Sequence, residues 1–193
     1  LEKAVRRSLN IFCTTMQEKE IRVLAVNPGS RYVGIAVFHG LELLDWGVRS
    51  IREKSQNEKF DHLKSILSEL VETHGINCLA MKALHPARSS DNLCQLTTSL
   101  KEWAREKNHL IYEYTIKEVE AFLLPSGRLN KHLLMEGVAS TYPFLFPELE
   151  GERQNRNAYL LRMFEAVALG MRCLGEMESM KGRKLIANTD EEK

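Results

Sequence analysis

The sequence predicts an α/β fold built on a five-stranded mixed sheet with helices on both faces, and three features predict it. Three short β-rich segments open the patterned part of the chain, joined by turns too short for a crossover, so they must form an antiparallel meander. Two more strand-like runs then alternate with helical ones, which calls for parallel pairing. A hydrophobic content of 44% against 27% charged residues over 193 positions suits one well-packed core.

The elements follow in order. Residues 21–27, IRVLAVN, form a short apolar run of central-strand type, and Pro28, Gly29, Ser30 and Arg31 make a tight turn. Residues 32–38, YVGIAVF, supply the second strand, His39 and Gly40 a second turn, and residues 41–51 the third strand. Phe60, Leu63, Ile66, Leu67, Leu70 and Val71 recur at helical spacing, and Gly75 closes that helix. Residues 76–81 are a fourth strand. Leu93, Leu96, Leu100 and Trp103 mark a second helix capped by Ser89 or Ser90, and residues 110–114 a fifth strand. Thr115 with Glu118 fits a capping box for a short helix through Leu124, broken by Pro125 and Gly127. Asn130 caps a helix carrying Leu133, Leu134 and Val138 that stops before Pro143, and a last helix spans about 158–174. The first strand returns through a hairpin instead of entering a helix, which disfavours a Rossmann fold. The handedness of crossovers leaves few arrangements, and the RNase H-like order 3-2-1-4-5 is one that satisfies them. This division gives an N-terminal arm or short helix over 1–20, the α/β domain over 21–175, and a loose charged tail over 176–193.

The formal net charge of +1 gives little long-range attraction to nucleic acid, so any such contact needs a local patch. Cys13, Cys78, Cys94 and Cys173 show no zinc-ligand spacing; Cys78 and Cys173 lie in apolar runs and read as buried thiols of a cytoplasmic protein. No stretch approaches the ~20 apolar residues that cross a bilayer, so no membrane partner is expected.

Three segments carry a family resemblance. LAVNPGSRYVGIAVF, CLAMKALHPARSSDNL and RNAYLLRMFEAVALG, in this order, resemble the three site-bearing segments of the RuvC-type Holliday-junction resolvases of the RNase H-like superfamily. The resemblance implies a two-metal nuclease site with four carboxylates. At the matching positions this chain has Asn27, Lys82, Arg162 and Glu165, so one carboxylate of four remains. An ammonium has no lone pair for a metal and repels Mg²⁺, and a guanidinium stays charged. No cofactor is therefore expected, and Glu165 is the ligand if any metal binds. Glu165 paired with Lys82 or Arg162 would take the metal's place in holding the site together.

The same substitutions favour phosphate. Lys82, Arg88 and the N–H groups around Ser89 are candidate phosphate contacts, with Arg31, Lys117, Arg128 and Lys131 extending the surface and Tyr32 a base-stacking candidate. His85 lies at the mouth of the site and reads as a turn residue. Trp46 and Trp103 fall at apolar positions and read as core. Gly29 reads as a turn residue and Gly34 as a close-packing position. RNase H-like ATPases also use a glycine-containing hairpin, but the second such hairpin they need is absent here.

The leading expectation is a catalytically degenerate RuvC-like protein that binds branched or duplex DNA, or a protein partner, through the former active-site end. One alternative is a Mg²⁺- or Mn²⁺-dependent DNA endonuclease with relocated ligands drawn from Glu42, Asp45 and Glu165. Another is a purely structural or protein-interaction module. The resemblance also implies a homodimer.

Overall fold

The computed structural model describes residues 21–85, 87–123, 130–154 and 159–190. In β1 (Arg22–Asn27) every residue from Val23 to Asn27 is buried, because helices cover both faces of this strand. Four turn residues later β2 (Tyr32–His39) returns antiparallel, with Asn27 opposite Gly34. β3 (Glu42–Ser50) continues the meander. β4 (Cys78–Lys82) lies parallel to β1, and β5 (Leu110–Tyr114) parallel to β4. The order β3-β2-β1-β4-β5 is the one the sequence predicts: Asn27 ends the central strand and Lys82 ends its parallel neighbour.

Side-chain alternation sorts the core into two layers. Leu24, Val26, Ile35 and Met81 face α1 (Gln56–His74) and α2 (Asp91–Glu106), packing with Leu63, Leu67, Leu100 and Trp103. Val23, Ala25, Phe38 and Ala80 face the opposite layer of α3 (Ile116–Leu123), α4 (Lys131–Thr141) and α6 (Leu161–Asp190). That alternation sends Asn27 and Lys82 towards α6. Local chemistry sets the helix ends. Ser55 and Glu58 form a capping box on α1, and Gly75 closes it at φ 61°. Ser90 caps α2, Thr115 exchanges hydrogen bonds with Glu118 at the start of α3, and Asn130 caps α4.

The structure corrects several expectations. A 3₁₀ turn (Pro143–Leu145) and α5 (Phe146–Gln154) follow α4 where the prolines suggest only a break. Pro147 sits in the first turn of α5, where its missing N–H has no intrahelical partner to lose. α6 does not stop at Gly175 but runs to Asp190, so residues 176–190 are helical and not a loose tail. Gly175 serves packing: a Cβ there would stand 2.7 Å from the Phe122 ring, and Leu174 and Met177 are buried on the core. Trp103 is core, but Trp46 is half-buried on β3, its Nε1 donating to Glu148 at 3.3 Å. Cys78 and Cys173 are buried free thiols with sulfurs 3.7 Å apart; their mutual hydrogen bond and burial push the Cys78 thiol far above its usual range. No described helix is long and apolar enough to cross a membrane.

Candidate functional site

Two glycines let α6 approach the sheet. A Cβ on Gly34 would stand 1.9 Å from the Arg162 carbonyl oxygen, so the first turn of α6 rests directly on the β2 backbone. A Cβ on Gly29 would meet the Arg162 guanidinium carbon at 3.1 Å and the Tyr32 carbonyl oxygen at 2.5 Å. Gly29 is not among the positive-φ glycines, so its role is space and not a turn dihedral.

The close approach assembles the four family-matching positions. The Asn27 amide donates to Glu165 Oε2 at 2.7 Å and to the Arg162 carbonyl at 3.3 Å. The opposite amide orientation would set its oxygen against two acceptors. Lys82 Nζ donates to the same Glu165 oxygen at 2.8 Å, in a pair whose side chains are 22% and 13% exposed. Arg162 pairs instead with the main chain, donating to the Pro28 carbonyl at 3.3 Å. Asn27 Oδ1 is buried without a partner among the described residues.

This donor set does not fit a divalent cation. Glu165 Oε2 already accepts from an ammonium and an amide, and Lys82 and Arg162 bring positive charge with no lone pair. Among the described residues no group of three or more His, Cys, Asp or Glu is placed to hold a metal. The acids singled out as relocated ligands do not converge on Glu165. Glu42 pairs with His39, which lies opposite Arg22 at the far end of β1 from Asn27. Asp45 pairs with Val37, whose side chain belongs to the α1–α2 layer, opposite the face holding Glu165, and its carboxylate meets Arg49 at 3.6 Å.

Beside the Lys82–Glu165 pair a cleft of ≈ 620 Å³ lies across the C-terminal ends of β1, β4 and β5. Among the described residues its lining holds four cations, Lys82, Arg88, Lys117 and Arg162, and no carboxylate. Lys82 is neutralised by Glu165, whereas no ion pair among the described residues engages Arg88, Lys117 or Arg162. Arg162 spends one of its five donors on Pro28, and no other hydrogen bond of its guanidinium is made among the described residues. Glu118 stands one residue beyond Lys117 but is committed to Thr115, whose backbone and hydroxyl hydrogen bonds hold its carboxyl below the usual carboxylate range.

The cleft gathers Lys82, Arg88, Ser89, Lys117, Arg162 and the exposed His85 from the sequence-selected residues. It does not include Arg31, Tyr32 or Lys131. Arg31 is exposed on the β1–β2 turn, and Tyr32 packs edge-on against Tyr159 with ring centres 5.0 Å apart. Lys131 is exposed at the start of α4, and Arg128 lies outside the described residues. The N–H groups of Arg88 and Ser89 are not free for phosphate, because both donate to the His85 carbonyl, at 3.0 and 3.1 Å. Sequence reasoning missed the apolar lining, Pro28, Leu84, Leu93 and Ile116. The available signal was topological: these residues follow strands β1, β4 and β5, and crevices at carboxyl strand ends are the usual ligand sites of open α/β sheets.

No protein-family model and no curated protein matches the sequence. Solved structures do match. Thermus thermophilus RuvC in complex with a Holliday junction substrate is 16% identical over 79% of this chain and 91% of that one, with a TM-score of 0.60. A second structure of Thermus thermophilus RuvC gives 16% identity, coverage of 82% and 97%, and a TM-score of 0.62. The yeast mitochondrial Holliday junction resolvase Ydc2 gives 11% identity, coverage of 83% and 81%, and a TM-score of 0.57. The chain therefore has an RNase H-like fold similar to that of the RuvC-type resolvases, in agreement with the sequence resemblance.

Proposed function

We propose that this chain binds DNA, branched or duplex, by phosphate contacts at the cleft, without divalent metal and without cleaving it. The observation that carries this reading is a concave site lined, among the described residues, by four cations and no carboxylate, with Lys82 seated on the one acid that remains at the matched positions. The junction complex of the structurally similar Thermus thermophilus RuvC supports DNA as the ligand class. Arg162 supplies a forked donor suited to phosphate, and Arg88 and Lys117, without an ion pair among the described residues, flank it. Lys82 is internal: it balances Glu165 and locks α6 to β4.

Three uncompensated cations predict a log–log salt slope of magnitude up to about 2.7 on duplex DNA, at about 0.9 per phosphate contact. The test is fluorescence anisotropy with labelled four-way junction and duplex in EDTA across a salt series. Lys117→Ala should weaken binding and flatten the slope by about 0.9, while Lys131→Ala, outside the cleft, should match the parent. No binding at low salt, or a Lys117→Ala slope equal to the parent's, refutes the reading.

A protein partner is a second reading with its own observation. Leu41, in the β2–β3 turn, and Phe144 are both exposed on the β3 side of the sheet, where the Tyr142 hydroxyl donates to the Leu41 carbonyl at 3.0 Å and the Phe144 ring lies 4.9 Å from Trp46. A homodimer through this edge would appear as a doubled mass in light scattering that Phe144→Asp abolishes.

A further inference from the structure

The composition of the cleft says more than that it attracts phosphate. Its charged groups are accompanied by Pro28, Ala83, Leu84, Leu93 and Ile116, apolar residues that a phosphate ion would leave exposed to water. A B-form duplex keeps its bases stacked inside and offers a concave surface only its backbone. It would touch the exposed Arg88 and Lys117 and leave the half-buried Leu84, Leu93 and Ile116 without a partner. The ≈ 620 Å³ of that cleft falls in the size range that encloses small organic ligands. Its width is two strand spacings, from the end of β1 to the end of β5, about 10 Å. Aliphatic side chains with the Ser89 hydroxyl and cations beside them match one nucleotide: a flat base against the aliphatic side chains, its phosphate on the arginines.

We propose that the cleft takes a single unpaired nucleotide of a DNA strand, base included, so that the protein prefers DNA with an unstacked position over continuous duplex. This inference rests on the phosphate-binding reading and specifies its ligand. Extruding a nucleotide costs least where it is already unpaired, so strand ends, bulges and branch points are favoured over paired DNA. The discrimination comes from the aliphatic side chains; the salt dependence comes from the cations.

The test uses three labelled probes in EDTA: a blunt duplex, the same duplex with a one-nucleotide bulge, and that bulge made abasic. The bulged probe should bind about tenfold tighter than the blunt duplex, which corresponds to about 1.4 kcal/mol and lies within the range of base-stacking contributions. The abasic probe keeps its sugar and phosphate and should lose that advantage. Leu84→Ser and Ile116→Ser should erase the difference between the bulged and abasic probes. Equal binding of base-bearing and abasic bulges overturns the proposal while leaving phosphate binding intact. A free deoxynucleoside monophosphate that binds as tightly as the bulged strand also overturns it, because the occupant is then a free nucleotide. Failure of all three probes to bind at low salt sinks the phosphate reading and this inference together.

Discussion

Gly34→Ala isolates the contact on which the site's assembly depends. The added Cβ would lie 1.9 Å from the Arg162 carbonyl oxygen, 2.3 Å from its carbonyl carbon and 2.9 Å from the Met163 nitrogen. Ordinary contact begins near 3.4 Å, so the first turn of α6 must retreat by about 1.5 Å. These neighbours are backbone atoms of a helix packed on the sheet, and no rotamer change relieves them. Overpacking of this kind costs about 1–3 kcal/mol, and a main-chain clash belongs at the upper end. In a domain of this size that lowers the melting temperature by roughly 6–12 °C. The retreat also lengthens the Asn27 hydrogen bonds to Glu165 and the Arg162 carbonyl, now 2.7 and 3.3 Å, and moves Arg162 from the cleft, so the proposed DNA binding should weaken together with stability. Gly137→Ala is the matched control: nothing lies within 4 Å of its Cβ in α4, so the same added methyl should stabilise by about 1 kcal/mol through helix propensity. Calorimetry of the two variants, with anisotropy at low salt, reads both effects. A Gly34→Ala protein that melts and binds like the parent would refute the close-packing argument.

Other perturbations test separate links. Lys82→Met leaves the 13%-exposed Glu165 without its cation and should cost about 1–3 kcal/mol in urea unfolding, while adding Glu165→Gln should recover most of the loss. Asn27→Asp combined with Lys82→Glu places three carboxylates around the Glu165 position and should create Mn²⁺ binding visible by electron paramagnetic resonance; continued absence of binding would show that Arg162 alone blocks the ion. Desolvation, with a smaller push from Lys107, lowers the His109 pKa from 6.5, so the unfolded chain takes up the proton more readily. Its contribution is therefore present above pH 6.5 and lost as pH falls through the folded value. The urea midpoint should drop between pH 7.5 and 5.5, and less so in His109→Gln.

The meander, the strand order and several helix starts were legible because each rests on local chemistry: short turns, two spacing periods, and caps such as Ser90, Thr115 and Asn130. Strand alternation then placed Asn27 and Lys82 on the α6 side, so the family-matching positions converge. What was not legible depends on tertiary approach. Gly175 looks like a helix stop until Phe122 is seen against it, and Gly29 looks like a turn residue until Arg162 is found beside it. Sequence spacing could not decide whether Glu165 would take Lys82 or Arg162 as its partner; the pairing with Lys82 leaves Arg162 facing the cleft. The cleft itself was invisible because its apolar lining comes from three strand ends and the first turn of α2, far apart in sequence.

The proposal that the Lys82–Glu165 pair leaves a cleft binding phosphate without metal is put to one isotherm measured twice. Labelled four-way junction is titrated with the parent protein at low salt, first in EDTA and then with Mg²⁺ or Mn²⁺, and the endpoint is run on a denaturing gel. The expected results are saturable binding in EDTA, no tightening on adding metal, and intact strands. Binding or cleavage that appears only with metal and disappears in Glu165→Ala would contradict the proposal.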